Sequence, residues 1–376
     1  MKYRRFKTGN LDISLLGFGA MRLPMLENNP DVVDETEAIR MIRYAIDHGV
    51  NYIDTAYVYH NMKCEIILGK ALEGGYREKV SIATKLPLWL CSGPDSIESL
   101  FNEQLEKLNV DCIDMYLVHN IAGNALQKMA EWKVWDFLVR KRDEGKIKYI
   151  GFSFHDETPK KFKEALDLYP WDFCQLQINF IDKDIQAGIE GYEYAVSKDV
   201  PIIIMEPLKG GKLTDFSHPL IKKYWEILGT ERSAAEWTLR WVANLQGIMT
   251  ILSGMSTMEQ VEENLRVLSD ADIGSLSESE LEVFDKIADE YRKMTPYQCT
   301  ACRYCLPCTV KINIPDIMEY RNSCTLYGLS ENEQNHFNTW VRHKPSECTA
   351  CGKCEAECPQ HIEIIKVMKE TAELFE

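Results

Sequence analysis

Short apolar runs alternate with amphipathic segments along most of the chain. The apolar runs predict buried strands at 13–21, 50–54, 80–85, 113–119, 149–152, 173–178, 200–205 and 247–254. Between them, apolar residues recur at helical spacing and predict helices at 35–48, 64–72, 95–108, 133–144, 159–168, 189–197, 233–244 and 258–268. Eight strand–helix pairs of this length predict an α/β fold, a (β/α)8 TIM barrel. A hairpin at 6–13 is predicted before the barrel, and a helix at 277–291 after it.

Three successive predicted strands each end on an ionisable residue. Asp54 ends the second strand, Lys85 the third and His119 the fourth, and Tyr59 follows Asp54 by five positions. The C-terminal ends of barrel strands present polar side chains to a ligand, so these residues are expected to lie together.

These four residue types suit carbonyl reduction. A phenol such as Tyr59 can give a proton to the alkoxide that forms, although its unperturbed pKa is about 10. A nearby Lys85 cation would lower that pKa, and Asp54 would hold the lysine charged and oriented. His119 could orient the substrate oxygen. Taken singly, each residue has an ordinary structural explanation: a turn acid, a packed phenol, a solvated lysine or a buried histidine. Their joint placement favours catalysis.

Composition excludes several classes of function. The 376 residues carry 43 basic and 58 acidic side chains, a net charge of -15, which argues against binding to nucleic acid or an anionic membrane. The N-terminus lacks the apolar stretch of a secretory signal, and no run is long enough to span a bilayer. We therefore expect a cytoplasmic protein.

The 13 cysteines change the picture near residue 294. Four lie before residue 299, and nine lie between Cys299 and Cys358. In a reducing compartment this pattern indicates metal binding rather than disulfides. The predicted domains are therefore a barrel at 1–293 and a small, mostly α-helical metal-binding domain at 294–376. Helices are predicted in the latter at 315–321, 331–339 and 362–375.

The barrel segment resembles the aldo/keto reductase superfamily. The resemblance covers about residues 1–290 and rests on motifs in the expected order: GFGAMRL, GVNYIDTAYVY, SIATK, DMYLVHN, GFS, QLQIN, EPLKGG and GMSTMEQVEEN. It implies that Asp54, Tyr59, Lys85 and His119 form the catalytic tetrad of a reductase acting on a small carbonyl or alcohol. It also implies NADP(H) lying across the barrel mouth. No GxGxxG follows the first strand, so a Rossmann site is not predicted.

The resemblance also implies cofactor-binding positions. Ser153 and Gln175 would hold the nicotinamide carboxamide, and Glu263 and Asn264 would approach the adenine. Met205 stands where many members have an aromatic ring on the nicotinamide. Gly254 and Gln260 stand where a lysine and an arginine usually grip the 2′-phosphate. Since an arginine fork is missing, the sequence leaves NADP(H) and NAD(H) both open.

The cysteine runs resemble bacterial two-cluster ferredoxins, in which the fourth cysteine of each run ligates the other cluster. This implies one 4Fe-4S cluster on Cys299, Cys302, Cys305 and Cys358 and another on Cys348, Cys351, Cys354 and Cys308. The first run departs from the pattern, with two residues before its last cysteine and Thr309 in the usual place of proline. A zinc site with four thiolate ligands is the alternative, which two three-plus-one runs and the Cys358-Pro359 ending disfavour.

Three functions follow from these features. The first is an NAD(P)H-dependent reductase whose clusters are structural or redox-sensing. The second is an electron-transfer protein linked to a ferredoxin or another carrier, with a flavin in the barrel mouth, although no motif indicates flavin. The third is a nucleotide-binding regulatory subunit without catalysis, which the intact tetrad disfavours.

Overall fold

The structure is a computed structural model that describes residues 1–26, 29–121, 124–155, 158–216, 218–300, 302–327, 329, 334, 337–338 and 341–376. The chain forms two compact units. The barrel unit comprises Met1–Leu208 and Glu231–Glu278, and the cysteine unit comprises Lys209–Thr230 and Ser279–Glu376. The boundary predicted near residue 294, between a barrel domain and a metal-binding domain, stays a prediction.

The strands in chain order are β1 Tyr3–Phe6, β2 Leu11–Ser14, β3 Leu16–Gly19, β4 Met25–Leu26, β5 Asn29–Val33, β6 Tyr52–Asp54, β7 Ser81–Leu86, β8 Ile113–Val118, β9 Ile147–Phe154, β10 Phe173–Gln177, β11 Ile202–Met205 and β12 Ile248–Gly254. The helices are α1 Glu35–Asp47, α2 Cys64–Ala71, α3 Pro94–Leu108, α4 Ala125–Glu131, α5 Val134–Asp143, α6 Pro159–Asp167, α7 Gly188–Ser197, α8 Pro219–Leu228, α9 Ala234–Ala243, α10 Met258–Leu268, α11 Glu278–Met294, α12 Ile314–Tyr327, α13 Lys353–Ala356 and α14 Ile364–Phe375.

Eight of these strands close into a parallel barrel in the order β3, β6, β7, β8, β9, β10, β11 and β12. The neighbouring strands around the ring pair in parallel, and β12 pairs with β3 through Ser253 and Phe18 to complete it. The predicted (β/α)8 TIM barrel is confirmed. None of the helices in the described ranges is long and apolar enough to cross a membrane.

The predicted N-terminal hairpin is also confirmed, as the antiparallel pair β1 and β2. Its Arg4 guanidinium donates hydrogen bonds to the carbonyl oxygens of Ala243, Leu245 and Ile248, where β12 begins. Phe6 and Ile13 of the hairpin belong to the same buried cluster as side chains of the barrel strands. The hairpin thus closes the N-terminal end of the barrel and leaves the C-terminal end for a ligand.

Some elements differ from the sequence prediction. The short helix Ala125–Glu131 and the helix Pro219–Leu228 lie in segments that were not predicted to be regular. The helix predicted at 315–321 runs on to Tyr327. The helix predicted at 331–339 falls largely outside the described residues.

The cysteine unit has its own apolar core. Ile317, Met318, Val367 and Met368 are all buried in one cluster that α12 and α14 supply. Predicted ligands of both runs pack against this cluster: Cys299, Cys305, Cys308, Cys348, Cys354 and Cys358. The apolar core therefore brings the two cysteine runs together although about 40 residues separate them.

Candidate active site

The four predicted catalytic residues lie together at the C-terminal end of the barrel. Asp54 ends β6, Lys85 is the fifth residue of β7, and His119 directly follows β8. Tyr59 lies in the loop after β6. All four are buried, with exposed fractions of 3, 8, 1 and 2% for Asp54, Tyr59, Lys85 and His119. Because β6, β7 and β8 are neighbours in the barrel, the three strand ends deliver their side chains to one place.

Lys85 is the centre of this group. Its Nζ atom lies 2.8 Å from both carboxylate oxygens of Asp54 and 2.7 Å from the carbonyl oxygen of Thr55. The same atom lies 3.5 Å from the Tyr59 hydroxyl. The ammonium group is therefore held by two residues and faces the phenol of a third.

Burial shapes the charge of the neighbouring groups. It raises the pKa of Asp54 above its usual value, although the Lys85 ammonium and its hydrogen bond act in the opposite direction. Burial also holds the pKa of His119 well below its ordinary value, and the charges of Lys85 and His155 add to this. His119 is therefore neutral at physiological pH, and one of its ring nitrogens carries a proton.

Two aromatic rings border His119. The Tyr59 ring meets the imidazole edge to face at 6.3 Å between centroids, and the Trp89 ring lies 4.8 Å away. Trp89 is 36% exposed, so it presents a partly open apolar surface beside the tetrad. Trp89 was not among the residues predicted from the sequence; an aromatic side chain four positions after Lys85 was the available signal.

A buried polar network supports the strand that carries Lys85. The Glu65 carboxylate accepts hydrogen bonds from Thr84 Oγ1 at 2.6 Å and from Gln104 Nε2 at 2.8 Å. Gln104 Nε2 also donates to the Lys85 carbonyl oxygen at 3.1 Å, and Tyr116 donates to Gln104 Oε1 at 2.7 Å. This network was not predicted from the sequence either, because its members come from four separate elements.

Replacing Glu65 by glutamine is expected to stabilise the protein at neutral pH. Burial raises the pKa of Glu65 above 4.5 in the folded state. The stability linked to its protonated form is complete below the unfolded-state pKa and is lost as pH rises through the folded-state pKa. Glutamine cannot ionise, so its advantage should grow across that window, by about 1.4 kcal/mol for each pKa unit of elevation. Urea unfolding of wild type and of Glu65→Gln at several pH values measures this difference in stability.

Glu103 offers a control of opposite sign for this experiment. A hydrogen bond from Lys107 is the main cause that lowers the pKa of Glu103. Glu103→Gln should therefore lose stability only above the unfolded-state pKa, where wild type carries the charge. If Glu65→Gln were less stable than wild type by the same amount at every pH, ionisation of the Glu65 carboxyl would not be the cause of the difference in stability.

Two of the predicted nicotinamide-binding residues are adjacent. Ser153 on β9 pairs in register with Gln175 on β10, and both are buried. The Ser153 hydroxyl accepts a hydrogen bond from the Asn120 amide at 2.9 Å, and Gln175 Nε2 lies 3.5 Å from the Met205 sulfur. Gln175 Oε1 is buried and has no hydrogen-bond partner within the described residues. Such an oxygen can accept a hydrogen bond from the amide of a carboxamide ligand.

The residues predicted to contact the rest of the nucleotide lie at the end of β12 and on α10, and they already bond within the protein. Asn264 Nδ2 donates to Ser253 Oγ at 2.9 Å, and Gln260 Oε1 accepts from the Ser256 amide at 2.7 Å. Glu263 accepts from the Ser233 hydroxyl at 2.6 Å.

Gly254 lies under the side chain of Arg22. A Cβ atom at position 254 would come within 3.0 Å of three carbon atoms of the Arg22 side chain. The space that a lysine side chain would enter at this position is therefore taken by an arginine from the loop after β3. Arg22 was not among the predicted site residues, although it lies in the GFGAMRL segment.

The sequence profile of the aldo/keto reductase family matches residues 15–289, which include the whole tetrad. The chain belongs to the aldo/keto reductase family. Among curated relatives, the Glycine max protein named "Probable aldo-keto reductase 1" is 32% identical over 190 residues, which are 48% of this chain and 53% of that protein. The match thus spans about half the length of the curated relative.

Solved structures of the aldo/keto reductase fold agree with the family assignment. The holo form of an aldo-keto reductase from Bacillus halodurans superposes with a TM-score of 0.63 at 25% identity, covering 76% of this chain and 96% of the other. An aldo-keto reductase from Klebsiella pneumoniae in complex with NADPH superposes with a TM-score of 0.62 at 22% identity, covering 77% of this chain and 95% of the other. At that identity, the second structure shows a shared fold.

The cysteine runs of this aldo/keto reductase family member lie beyond the family match. All 13 cysteines are among the described residues and none forms a disulfide. Burial, followed by the neighbouring thiols of Cys302, Cys299 and Cys358, raises the pKa of Cys305. This set is the one predicted for the first cluster.

Contacts also join the two runs at the second predicted site. The Thr309 hydroxyl, adjacent to Cys308, lies 3.5 Å from the Cys351 sulfur. Burial first, and then the nearby charges of Glu355 and Cys348, raise the pKa of Cys354 to about 11. Within the described ranges, no group of three or more Cys, His, Asp or Glu side chains is arranged to hold a single metal ion. A cubane cluster spreads its thiolates over four irons, so its ligands stand farther apart than those of one ion.

Proposed function

We propose that the chain is an NAD(P)H-dependent oxidoreductase that interconverts a small carbonyl compound and an alcohol. The observation that carries this proposal is the buried Lys85 ammonium, which contacts the Asp54 carboxylate and faces the Tyr59 hydroxyl beside a neutral His119. We assign Asp54, Tyr59, Lys85 and His119 as the catalytic residues. The family assignment supports the reaction class.

Each catalytic residue has one task in the proposed reaction. Tyr59 gives its hydroxyl proton to the substrate oxygen during reduction and takes it back during oxidation. The Lys85 ammonium stabilises the phenolate left on Tyr59, and Asp54 holds that ammonium in place. Neutral His119 donates a hydrogen bond that orients the substrate oxygen. Trp89 forms an apolar wall beside the imidazole and would exclude water from one side of the substrate.

The nicotinamide cofactor supplies the hydride when it is bound. We assign Ser153, Gln175 and Met205 to its nicotinamide end, since the unpartnered Gln175 oxygen fits a carboxamide donor. We assign Gly254, Gln260, Glu263 and Asn264 to its adenosine end. The Arg22 side chain over Gly254 supplies a cation at that end, which favours NADP(H) over NAD(H).

We further propose that residues 294–376 form a ferredoxin-like domain with two 4Fe-4S clusters. The nearness of Cys305 to Cys358, and of Thr309 to Cys351, supports the crossed ligand sets. One set would be Cys299, Cys302, Cys305 and Cys358, and the other Cys308, Cys348, Cys351 and Cys354. Such clusters carry one electron at a time, whereas hydride transfer moves two, so the clusters serve a role separate from the hydride step.

Anaerobic purification followed by metal, sulfide and flavin analysis tests both parts of the proposal. We expect about eight irons and about eight sulfides per chain, no flavin, and NADPH binding that leaves the cluster spectrum unchanged. NADH should bind more weakly. Zinc without sulfide would contradict the cluster assignment. Bound flavin, with clusters that bleach on reduction, would instead favour a protein that exchanges electrons with a ferredoxin or another carrier.

A further inference from the structure

The two proposed cluster sites differ in their surroundings. Among the eight proposed ligands, Cys351 is exposed and the other seven are partly buried. The loop around Cys351 is also open, since Thr349 and Ala350 are exposed. The two sets are alike in their packing, since Cys308, Cys348 and Cys354 of one and Cys299, Cys305 and Cys358 of the other all pack against the apolar core of the cysteine unit. We call the site of Cys308, Cys348, Cys351 and Cys354 the outer site and the other the inner site.

The sulfur of Cys351 lies close to a hydrogen-bond donor that follows the last cysteine of the other run. The Thr309 hydroxyl lies 3.5 Å from it. An iron-bound thiolate can only accept hydrogen bonds, so the hydroxyl hydrogen of Thr309 points toward the sulfur once a cluster is present.

Hydrogen bonds and solvent exposure both act on the reduction potential of a cluster. Reduction adds one negative charge to the cluster and its thiolates. A donor or a water molecule near the sulfur stabilises that charge more strongly after reduction than before it. Both effects act in the same direction at the outer site, and both raise the potential.

We propose that the Thr309 hydroxyl raises the reduction potential of the outer cluster through the sulfur of Cys351. The inference rests on the proposed function, because it requires that both sites hold 4Fe-4S clusters. Thr309 stands where the related cysteine runs usually have proline, which has no hydroxyl group and no amide hydrogen. The residue at which the first cysteine run departs from the ferredoxin pattern therefore supplies the hydrogen-bond donor. Thr309 acts on the cluster by stabilising negative charge at the Cys351 sulfur, and it is not proposed as an iron ligand.

Thr309 can be altered without disturbing the core, because its side chain is exposed. Thr309→Val keeps the branched shape and removes the hydroxyl. Thr309→Ser keeps the hydroxyl. Thr325→Val is the matched control, since this exposed threonine of α12 hydrogen-bonds to Arg321.

The experiment is an anaerobic redox titration of the full chain against an electrode with mediators, followed by electron paramagnetic resonance. Each step adds one electron to one cluster, and no bond forms or breaks. We expect two steps in wild type. Thr309→Val should move one of the two steps to lower potential by up to a tenfold change in its reduction equilibrium, about 59 mV for one electron, and leave the other step in place. Thr309→Ser and Thr325→Val should match wild type.

Three results would overturn the inference. In the first, both steps move in Thr309→Val, or one step moves to higher potential. In the second, neither step moves although each chain contains about eight irons, and this result leaves the proposed function intact. In the third, Thr309→Ser shifts as far as Thr309→Val, which would assign the effect to shape rather than to the hydroxyl. Zinc in place of iron and sulfide would overturn both the inference and the proposed clusters.

Discussion

Tyr59→Phe is expected to lower kcat for carbonyl reduction by about 10²–10⁴-fold, to the level left by binding and orientation alone. The substitution removes only the hydroxyl that lies 3.5 Å from the Lys85 ammonium. The phenyl ring can keep its edge-to-face contact with His119. Steady-state kinetics with NADPH and a panel of small aldehydes and ketones would measure the loss.

Tyr57→Phe is the matched control for this experiment. Tyr57 lies two positions earlier in the same loop, and its hydroxyl donates to Glu103 at 3.0 Å, away from the tetrad. It should keep wild-type turnover. The affinity for NADPH and the iron content should be unchanged in both variants, because neither hydroxyl is assigned to a cofactor. Wild-type turnover in Tyr59→Phe would remove Tyr59 from the acid–base role.

Lys85→Met is expected to destabilise the protein and to abolish reduction. Lys85 and Asp54 are both almost completely buried, and the ammonium contacts both carboxylate oxygens. Removing the cation leaves a buried carboxylate without its partner, which typically costs about 3–5 kcal/mol. Urea unfolding would measure the loss of stability, and a coupled kinetic assay the loss of turnover.

A double variant separates stability from chemistry. Asp54→Asn together with Lys85→Met removes both charges, so most of the lost stability should return. Activity should not return, since no cation remains to stabilise the Tyr59 phenolate. Asp54 and Lys85 would not be coupled as described if the double variant lost as much free energy of unfolding as the two single variants lose together.

The barrel could be predicted from the sequence because its pattern is local. A parallel strand buried on both faces is a continuous apolar run, and a helix on the outside repeats at its own spacing. Ile113–Val118 and Met258–Leu268 are such elements, and their predicted positions agree with the structure almost to the residue. The missed helices Ala125–Glu131 and Pro219–Leu228 lie inside long connections, where the apolar spacing is short and ambiguous.

The tetrad could be predicted for a related reason. A barrel places the ends of successive strands side by side, so ionisable residues at the ends of β6, β7 and β8 must converge. The same reasoning could not find the network of Glu65, Thr84, Gln104 and Tyr116 behind Lys85, because nothing in a linear pattern pairs residues from α2 and α3. Arg22 over Gly254 is a similar case, in which positions 232 residues apart share one small space.

The sequence by itself determined the fold class, the convergence of Asp54, Tyr59, Lys85 and His119, and the grouping of cysteines into two runs. These properties depend on the spacing of apolar side chains and on which residue ends each strand, and both can be read directly from the order of residues. Only the tertiary structure decided which polar groups share a proton or a charge. Hydrogen bonds and burial act over a few ångströms in space, and contacts such as Thr309 with Cys351, 42 residues apart, exist only once the apolar cores have formed around them.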